Sequence, residues 1–214
     1  MIKLYGRATS FNVLKVGWLL DDLELDYEHI SVGGRFGGLD TTEYSELNPI
    51  RKVPTLVDHG RSIWESHTIL RYLAATYGPN GFFPADPFER SVQERWMDWS
   101  QSVFQPAFIG VFWGYYRKPP SKRDIGFVNS NLDKCRFHLA ALDNQLATTS
   151  FLAGNSLSVA DIPAGSVLYR LTELGLDIQL PDHVARWYGR LKERAGYQKW
   201  VMADFSELKA RESY

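Results

Sequence analysis

The stretch Val53-Pro54-Thr55-Leu56-Val57-Asp58-His59-Gly60-Arg61-Ser62-Ile63 decides the fold of the first third of this chain. Two short runs rich in β-branched and apolar residues flank Asp58-His59-Gly60, and this pattern predicts a β-hairpin. Ser66 then opens a helical pattern. Its inner face carries Ile69, Leu70, Leu73 and Tyr77. A hairpin followed by a helix is therefore expected here.

Upstream of the hairpin, strand and helix signals alternate. Ile2-Lys3-Leu4-Tyr5 and the run 27–31 are strand candidates. Between them, apolar residues at helical spacing predict an amphipathic helix of about three turns from Asn12 onward. A short helix is expected over 40–47, and Asn48-Pro49 ends it, because the residue before a proline is pushed out of helical geometry. The order β-α-β-α-β-β-α predicts a thioredoxin-like domain, with a parallel first half and an antiparallel second half.

Beyond this domain, strand signals almost vanish. Turn residues cluster over 79–87, and helical patterns follow over roughly 88–116, 121–148, 158–174 and 182–195. We therefore expect a first domain over 1–78, a linker over 79–87 and an all-α domain over 88–214. The fold class is α/β followed by all-α.

Composition narrows the function classes. Net charge is −1, so nothing attracts nucleic acid or an anionic membrane. Cys135 is the sole cysteine, which excludes an intramolecular disulfide and suits a reducing compartment. The uncharged segment 99–116 is interrupted by Ser, Gln and Pro, and predicts a buried helix rather than a membrane span. The five histidines show no metal spacing. A soluble, cytoplasmic protein without a metal is expected.

Three segments carry a family resemblance: Ala8 to Val16, Asn48 to Leu56 and Trp64 to Leu73. A fourth, Ser158-Val159-Ala160-Asp161, falls at the matching place in the helical domain. Together they resemble the cytosolic glutathione transferases, in particular bacterial serine-type members similar to the phi, theta and beta classes. The resemblance spans essentially the whole chain. It implies a homodimer that uses glutathione as a co-substrate in detoxification and conjugates it to a small hydrophobic electrophile.

The resemblance also implies a binding site for glutathione. Glu65 can pair with the ammonium of the γ-glutamyl group, and Ser66 with its carboxylate at a helix N-terminus. The alternative for Ser66 is a plain helix cap. The bond Val53-Pro54 is cis in the family, where the residue before the proline pairs with the glutathione backbone. Lys52 can pair with the glycine carboxylate, or can be a solvated loop lysine.

For the sulfur, the resemblance points to Ser10 at the start of the first helix, with Asn12 as a second donor. A hydrogen bond to a thiolate lowers the pKa of the thiol, which makes the sulfur nucleophilic at neutral pH. Thr9 is an alternative if the loop shifts by one residue. Tyr5, at the end of the first strand, is the rival donor used by other classes, and we rate it as structural. Ser10 can also be an ordinary N-cap.

Aromatic residues concentrate on the uncharged helix. Phe104, Phe108 and Phe112 recur at helical spacing and predict core packing. For the pocket of the second substrate we choose Phe36, Trp113 and Tyr116.

Two further features have structural explanations. Ser158 and Asp161 fit a capping box, with Leu157 and Ile162 placed for a hydrophobic staple. Cys135 is expected to be a buried structural thiol.

Two other functions stay open on the same fold. Glutathione-dependent disulfide or peroxide reduction would use the same thiolate, with glutathione itself as the redox group. A non-catalytic glutathione-binding or regulatory protein would keep the fold without the chemistry.

Overall fold

The structure is a computed structural model that describes residues 1–210. The chain forms two compact units. The first contains Met1–Ala85 together with Arg194–Ala203, and the second contains Asp86–Glu193 with the residues from Asp204 onward.

The first unit is built on a four-stranded sheet. Its strands are β1 (Ile2–Tyr5), β2 (Tyr27–Ile30), β3 (Thr55–Asp58) and β4 (Arg61–Trp64), in the order β2-β1-β3-β4. β1 runs parallel to β2 and antiparallel to β3, and β4 completes the predicted hairpin with β3. The predicted thioredoxin-like order and the mixed sheet are confirmed.

Three helices belong to this sheet: α1 (Phe11–Asp22), α2 (Thr42–Leu47) and α3 (Ser66–Tyr77). α2 ends before Asn48-Pro49 as predicted, and Asn48 is extended with φ −147°. α1 has the expected length but is not amphipathic. Its residues 13–20 are all buried, because the helix is enclosed on every side rather than resting one face on the sheet.

One side of α1 is covered by a segment that lies far from it in the sequence. Tyr197–Val201 forms a single π-helical turn that packs on α1. The indole N–H of Trp200 donates to Asp21 across 2.9 Å, and Arg194 pairs with Asp22 across 2.6 Å. A Cβ on Gly17 would lie 2.2 Å from the Trp200 ring, so this contact requires glycine. The stretch 194–203 thus lies with the first unit, whereas the sequence pattern had placed it in the helical domain.

The second unit is helical. Its helices are α4 (Pro87–Trp99), α5 (Gln105–Val111), α6 (Ile125–Leu146), α7 (Asp161–Thr172) and α8 (Asp182–Lys192). α4 begins with Pro87 at its first position and Asp86 as N-cap, whose carboxylate accepts the N–H groups of Phe88 and Glu89. π-helical turns at 100–104 and 112–116 continue α4 and α5, so the predicted helix 88–116 is a composite of four segments.

The start of α7 is held by Asp161 rather than by Ser158. The buried carboxylate of Asp161 accepts the backbone N–H of Ser158 across 3.0 Å and that of Leu152 across 2.9 Å. The helix begins at Asp161, and the Ser158 hydroxyl accepts from Ala160 instead of closing the predicted box. Only the carboxylate half of the capping box therefore forms.

Core packing of the second unit agrees with the sequence pattern. Phe104, Phe108 and Phe112 are buried. Cys135 is buried too, and burial raises the pKa of its thiol to about 12, which makes it unreactive. Within residues 1–210, every helix is too short or too polar to cross a membrane.

Candidate functional site

A cleft of about 190 Å³ opens in the first unit where three connections meet. The start of α1, the segment between α2 and β3, and the start of α3 supply its walls. Eight residues line it: Asn12, Asn48, Ile50, Lys52, Val53, Pro54, Glu65 and Ser66. The fold thereby brings together six of the seven residues predicted for the sulfur and for glutathione. Ser10 is the exception.

Asn48 shapes the middle wall. Its amide nitrogen donates to the carbonyl of Lys52 across 2.9 Å and to the Thr55 hydroxyl across 3.0 Å. Its amide oxygen accepts the N–H of Ile50 across 3.0 Å. The Tyr44 hydroxyl donates to the same Lys52 carbonyl across 2.7 Å. Asn48 and Tyr44 thus fix the loop that presents Lys52 and Val53, a role that the Asn-Pro motif signalled only as a helix stop.

The peptide bond between Val53 and Pro54 is cis, as the family resemblance implied. Both residues lie on the wall of the cleft, directly before β3. Pro54 is buried and Val53 half-buried, whereas Lys52 is exposed at the rim. This arrangement sets backbone groups inside the cleft and a cationic side chain at its mouth.

The N-terminus of α3 forms the opposite wall. Ser66 is the first residue of the helix and Glu65 is the N-cap, so the alternative of Ser66 as the cap is wrong. Glu65 makes no side-chain cap bond and has a φ of 69°, in the left-handed region that disfavours residues with a Cβ. The first N–H groups of a helix have no partner inside it and attract anions. The wall therefore offers both a carboxylate and an anion-binding helix end.

The start of α1 contributes Asn12. Ser10 is the N-cap of α1, and it is 9% exposed. Its backbone carbonyl accepts the N–H groups of Val13 and Leu14, while its hydroxyl makes no side-chain cap bond. The reading of Ser10 as an ordinary side-chain cap is therefore wrong. Its hydroxyl is not engaged in holding the helix.

The two alternative donors lie near the same helix start. Thr9 is half-buried in the loop before Ser10. Tyr5 is half-buried at the end of β1, and its ring meets that of Tyr44 edge to face with centroids 6.1 Å apart. Neither residue lines the cleft.

Sequence patterns missed one residue next to the cleft. Lys15 is wholly buried in α1, with Nζ 3.0 Å from the amide oxygen of Asn12 and 3.3 Å from Nε2 of His67. Burial lowers the pKa of Lys15 to about 7, against a smaller opposing effect of Glu65. The helical pattern gave no signal for this burial, because an amphipathic helix offers a lysine a solvent-facing side.

The residues predicted for a second substrate differ in exposure. Phe36 ends a short 3₁₀ turn of the first unit and is 46% exposed, under the guanidinium of Arg35. In the second unit Trp113 is 53% exposed, with Arg117 over its ring at 4.4 Å. Tyr116 is buried against Phe112 and Phe205, with ring centroids 5.3 and 5.1 Å away. Phe36 and Trp113 thus offer accessible rings, and Tyr116 does not.

Metal ligands are not assembled anywhere in the part of the chain that the structure describes. Nowhere among residues 1–210 do three His, Cys, Asp or Glu side chains come together as a metal site would need.

Comparison with known proteins gives the family. Residues 4–81 match the glutathione S-transferase N-terminal domain, and residues 104–195 match the C-terminal domain. Glutathione S-transferase GstB of Escherichia coli is 36% identical over 96% of this chain and 100% of its own length. Glutathione S-transferase 3 of Zea mays is 28% identical over 94% of each chain.

Solved structures agree with the sequence relatives. The theta class glutathione S-transferase of Xanthomonas axonopodis pv. citri, with glutathione bound, is 41% identical. It superposes with a TM-score of 0.87 over 95% of this chain and 98% of its own. Two matched domains and near-complete coverage leave one conclusion: the chain belongs to the glutathione S-transferase family.

Proposed function

We propose that this family member is a glutathione transferase that binds glutathione in the cleft of its first unit and stabilises the thiolate for attack on a hydrophobic electrophile. The observation that carries the proposal is the meeting of two helix N-termini, those of α1 and α3, with a carboxylate in one cleft. A structure with glutathione bound, from a relative 41% identical, supports it.

The cleft offers a partner for each end of the tripeptide. Glu65 pairs with the ammonium of the γ-glutamyl group, and Ser66 with its carboxylate at the start of α3. The backbone of Val53, beside Pro54, pairs with the cysteine residue in the manner of an added strand. Lys52, at the rim, attracts the glycine carboxylate.

The proposed reaction requires the glutathione thiol to lose its proton. A free thiol has a pKa near ~8.5, so only a small fraction is thiolate at neutral pH. Lowering that pKa by about two units requires roughly 2.7 kcal/mol of preferential stabilisation of the thiolate. One hydrogen bond to a charged group supplies about 1.5–3 kcal/mol. Ser10, whose hydroxyl is not used as a cap, is proposed as the principal donor, with Asn12 as the second.

In the reaction the thiolate forms a carbon–sulfur bond with the electrophilic carbon, and a leaving group departs or a proton adds. We propose that the exposed ring of Trp113, in the second unit, binds the apolar part of the electrophile, as aromatic rings favour planar apolar partners. Tyr116 is left out of this proposal, because its ring is buried. A homodimer, a cytoplasmic location and a role in detoxification complete the proposal. The single cysteine is compatible with a reducing compartment.

The test measures the ultraviolet absorbance of bound thiolate against pH, together with conjugation to an aryl halide. We expect glutathione bound to the protein to ionise below its free pKa and the conjugate to form. Bound glutathione that keeps its free pKa would contradict the proposal. Reduction of hydroxyethyl disulfide or cumene hydroperoxide without conjugation would instead assign a different reaction to the same thiolate.

A further inference from the structure

Lys15 is a buried lysine whose side-chain nitrogen lies close to two polar side chains. It is 0% exposed, in a helix whose neighbouring residues are apolar and buried. A lysine at such a position loses its hydration, so it is retained only with polar partners. Its Nζ lies 3.0 Å from Oδ1 of Asn12 and 3.3 Å from Nε2 of His67. The ring of Phe11 lies 4.8 Å from the same nitrogen.

The contact with Asn12 has a direction. An ammonium has three donors and no lone pair, so only the oxygen end of the Asn12 amide can face it. The nitrogen end, with its two N–H donors, is consequently turned away from Lys15. A ligand in the cleft that Asn12 lines would then meet donors rather than an acceptor at the start of α1. A thiolate needs donors, and an amide oxygen would repel it.

We propose that Lys15 is a positioning residue that holds the Asn12 amide with its N–H donors toward the glutathione sulfur. Lys15 does not touch the ligand in this proposal, and it acts through Asn12. The inference rests on the proposed function, since it deepens the account of how the sulfur is stabilised.

The surroundings of Lys15 agree with such a coupling. Glu65, on the opposite wall of the cleft, favours the charged form of Lys15. His67 is kept neutral, because burial and then the charges of Lys15 and Arg71 lower its pKa to about 2. A neutral His67 can accept a hydrogen bond from the ammonium. The lysine thus has one acceptor on each side, and the amide of Asn12 is one of them.

The experiment is a double-mutant cycle read by the pKa of bound glutathione. Lys15→Met keeps an unbranched apolar stem, in a side chain one atom shorter than that of lysine, and removes the donors. It is compared with Asn12→Ala and with the double variant. Lys3→Met is the matched control, because it removes a lysine of the same unit that pairs with Glu28 across 3.4 Å.

We expect Lys15→Met and Asn12→Ala each to raise the pKa of the bound thiol by about one unit, a roughly tenfold loss of thiolate stability. In the double variant the pKa should rise no further than in Asn12→Ala alone. Lys3→Met should leave it unchanged. Additive shifts in the double variant would overturn the proposal, because Lys15 would then act on the sulfur independently. An unchanged pKa in Lys15→Met would overturn it as well.

A second readout needs no glutathione and no Lys15 variant. Selective ¹⁵N labelling of asparagine gives the side-chain amide resonances, and the signal of Asn12 is the one that Asn12→Ala removes. In the unsubstituted protein this signal should move with pH as Lys15 loses its proton. A pH-independent Asn12 signal would contradict the pairing. If the unsubstituted protein leaves the thiol at its free pKa, the proposed function fails, and the amide signal still decides whether Lys15 orients Asn12.

Discussion

The indole nitrogen of Trp187 donates a hydrogen bond to Oδ1 of Asp161 across 3.0 Å, and so ties α8 to the first residue of α7. The same carboxylate accepts the N–H groups of Leu152 and Ser158. The Ser158 hydroxyl also donates to this carboxylate across 3.2 Å, so four donors in the buried interior of the second unit depend on one side chain.

Asp161→Ala should lower the free energy of unfolding by about 3 kcal/mol or more, because it leaves several buried donors without an acceptor. Urea unfolding of the pure proteins measures the difference. Asp133→Asn is the control, since Asp133 pairs with Arg136 on the surface and should change stability by less than about 1 kcal/mol. Equal effects of the two substitutions would contradict the role assigned to Asp161.

Lys15 should make stability depend on pH. Burial lowers its pKa from 10.5 to about 7 in the folded protein. Between these values the unfolded chain binds the extra proton, so the contribution of Lys15 to the unfolding free energy rises with pH and its burial penalty is fully present below about pH 7. The stability of the unsubstituted protein relative to Lys15→Met should therefore increase from pH 7 to pH 10. Urea unfolding at several pH values tests this, and a flat difference would argue against a depressed pKa.

Ser10→Ala should raise the pKa of bound glutathione by about one to two units while leaving stability nearly unchanged. An N-cap that used its hydroxyl would lose about 1 kcal/mol on the same change, but Ser10 makes no such bond. Tyr5→Phe is the matched control, because it too removes a single hydroxyl and should leave the thiol pKa in place. If Tyr5 were the donor, Tyr5→Phe would raise the thiol pKa and Ser10→Ala would leave it in place.

Glu65 has a strained backbone conformation and a proposed role in binding glutathione. With φ at 69° and no cap bond, Glu65→Gly should leave the unfolding free energy unchanged or raise it by up to about 1 kcal/mol. Glutathione affinity should fall about tenfold or more, as an ion-paired hydrogen bond is lost. Glu65→Gln separates the two effects, since it keeps a Cβ at this left-handed backbone position but removes the charge. Calorimetric titration with glutathione supplies the affinities, and full affinity in Glu65→Gly would disprove the assigned contact.

Local patterns were enough to predict most of the first unit. Strand propensity on both sides of Asp58-His59-Gly60 gave the hairpin, and Asn48-Pro49 gave the end of α2. Periodicity does not say what covers a helix, however. It therefore could not show that α1 is enclosed on all sides, nor that 194–203 covers it.

For the site, the family resemblance implied six residues that the fold places around one cleft. Asn48 was missed as a wall residue, because its long-range bonds to Lys52 and Thr55 exist only once the loop has closed. Lys15 was missed because a charged residue in a helical pattern is normally assigned to the solvent face. Its partner His67 lies 52 residues away in sequence, a relation that no local pattern records.

The turn at 197–201 has a consequence for biosynthesis. During translation the ribosome makes the sheet and α1 first, but the residues that cover α1 emerge only after the whole helical unit. Until then Gly17 and its apolar neighbours remain uncovered. The nascent first domain therefore exposes apolar surface for the time needed to make more than a hundred further residues. The full covering of α1 is thus a late event in the synthesis of the chain.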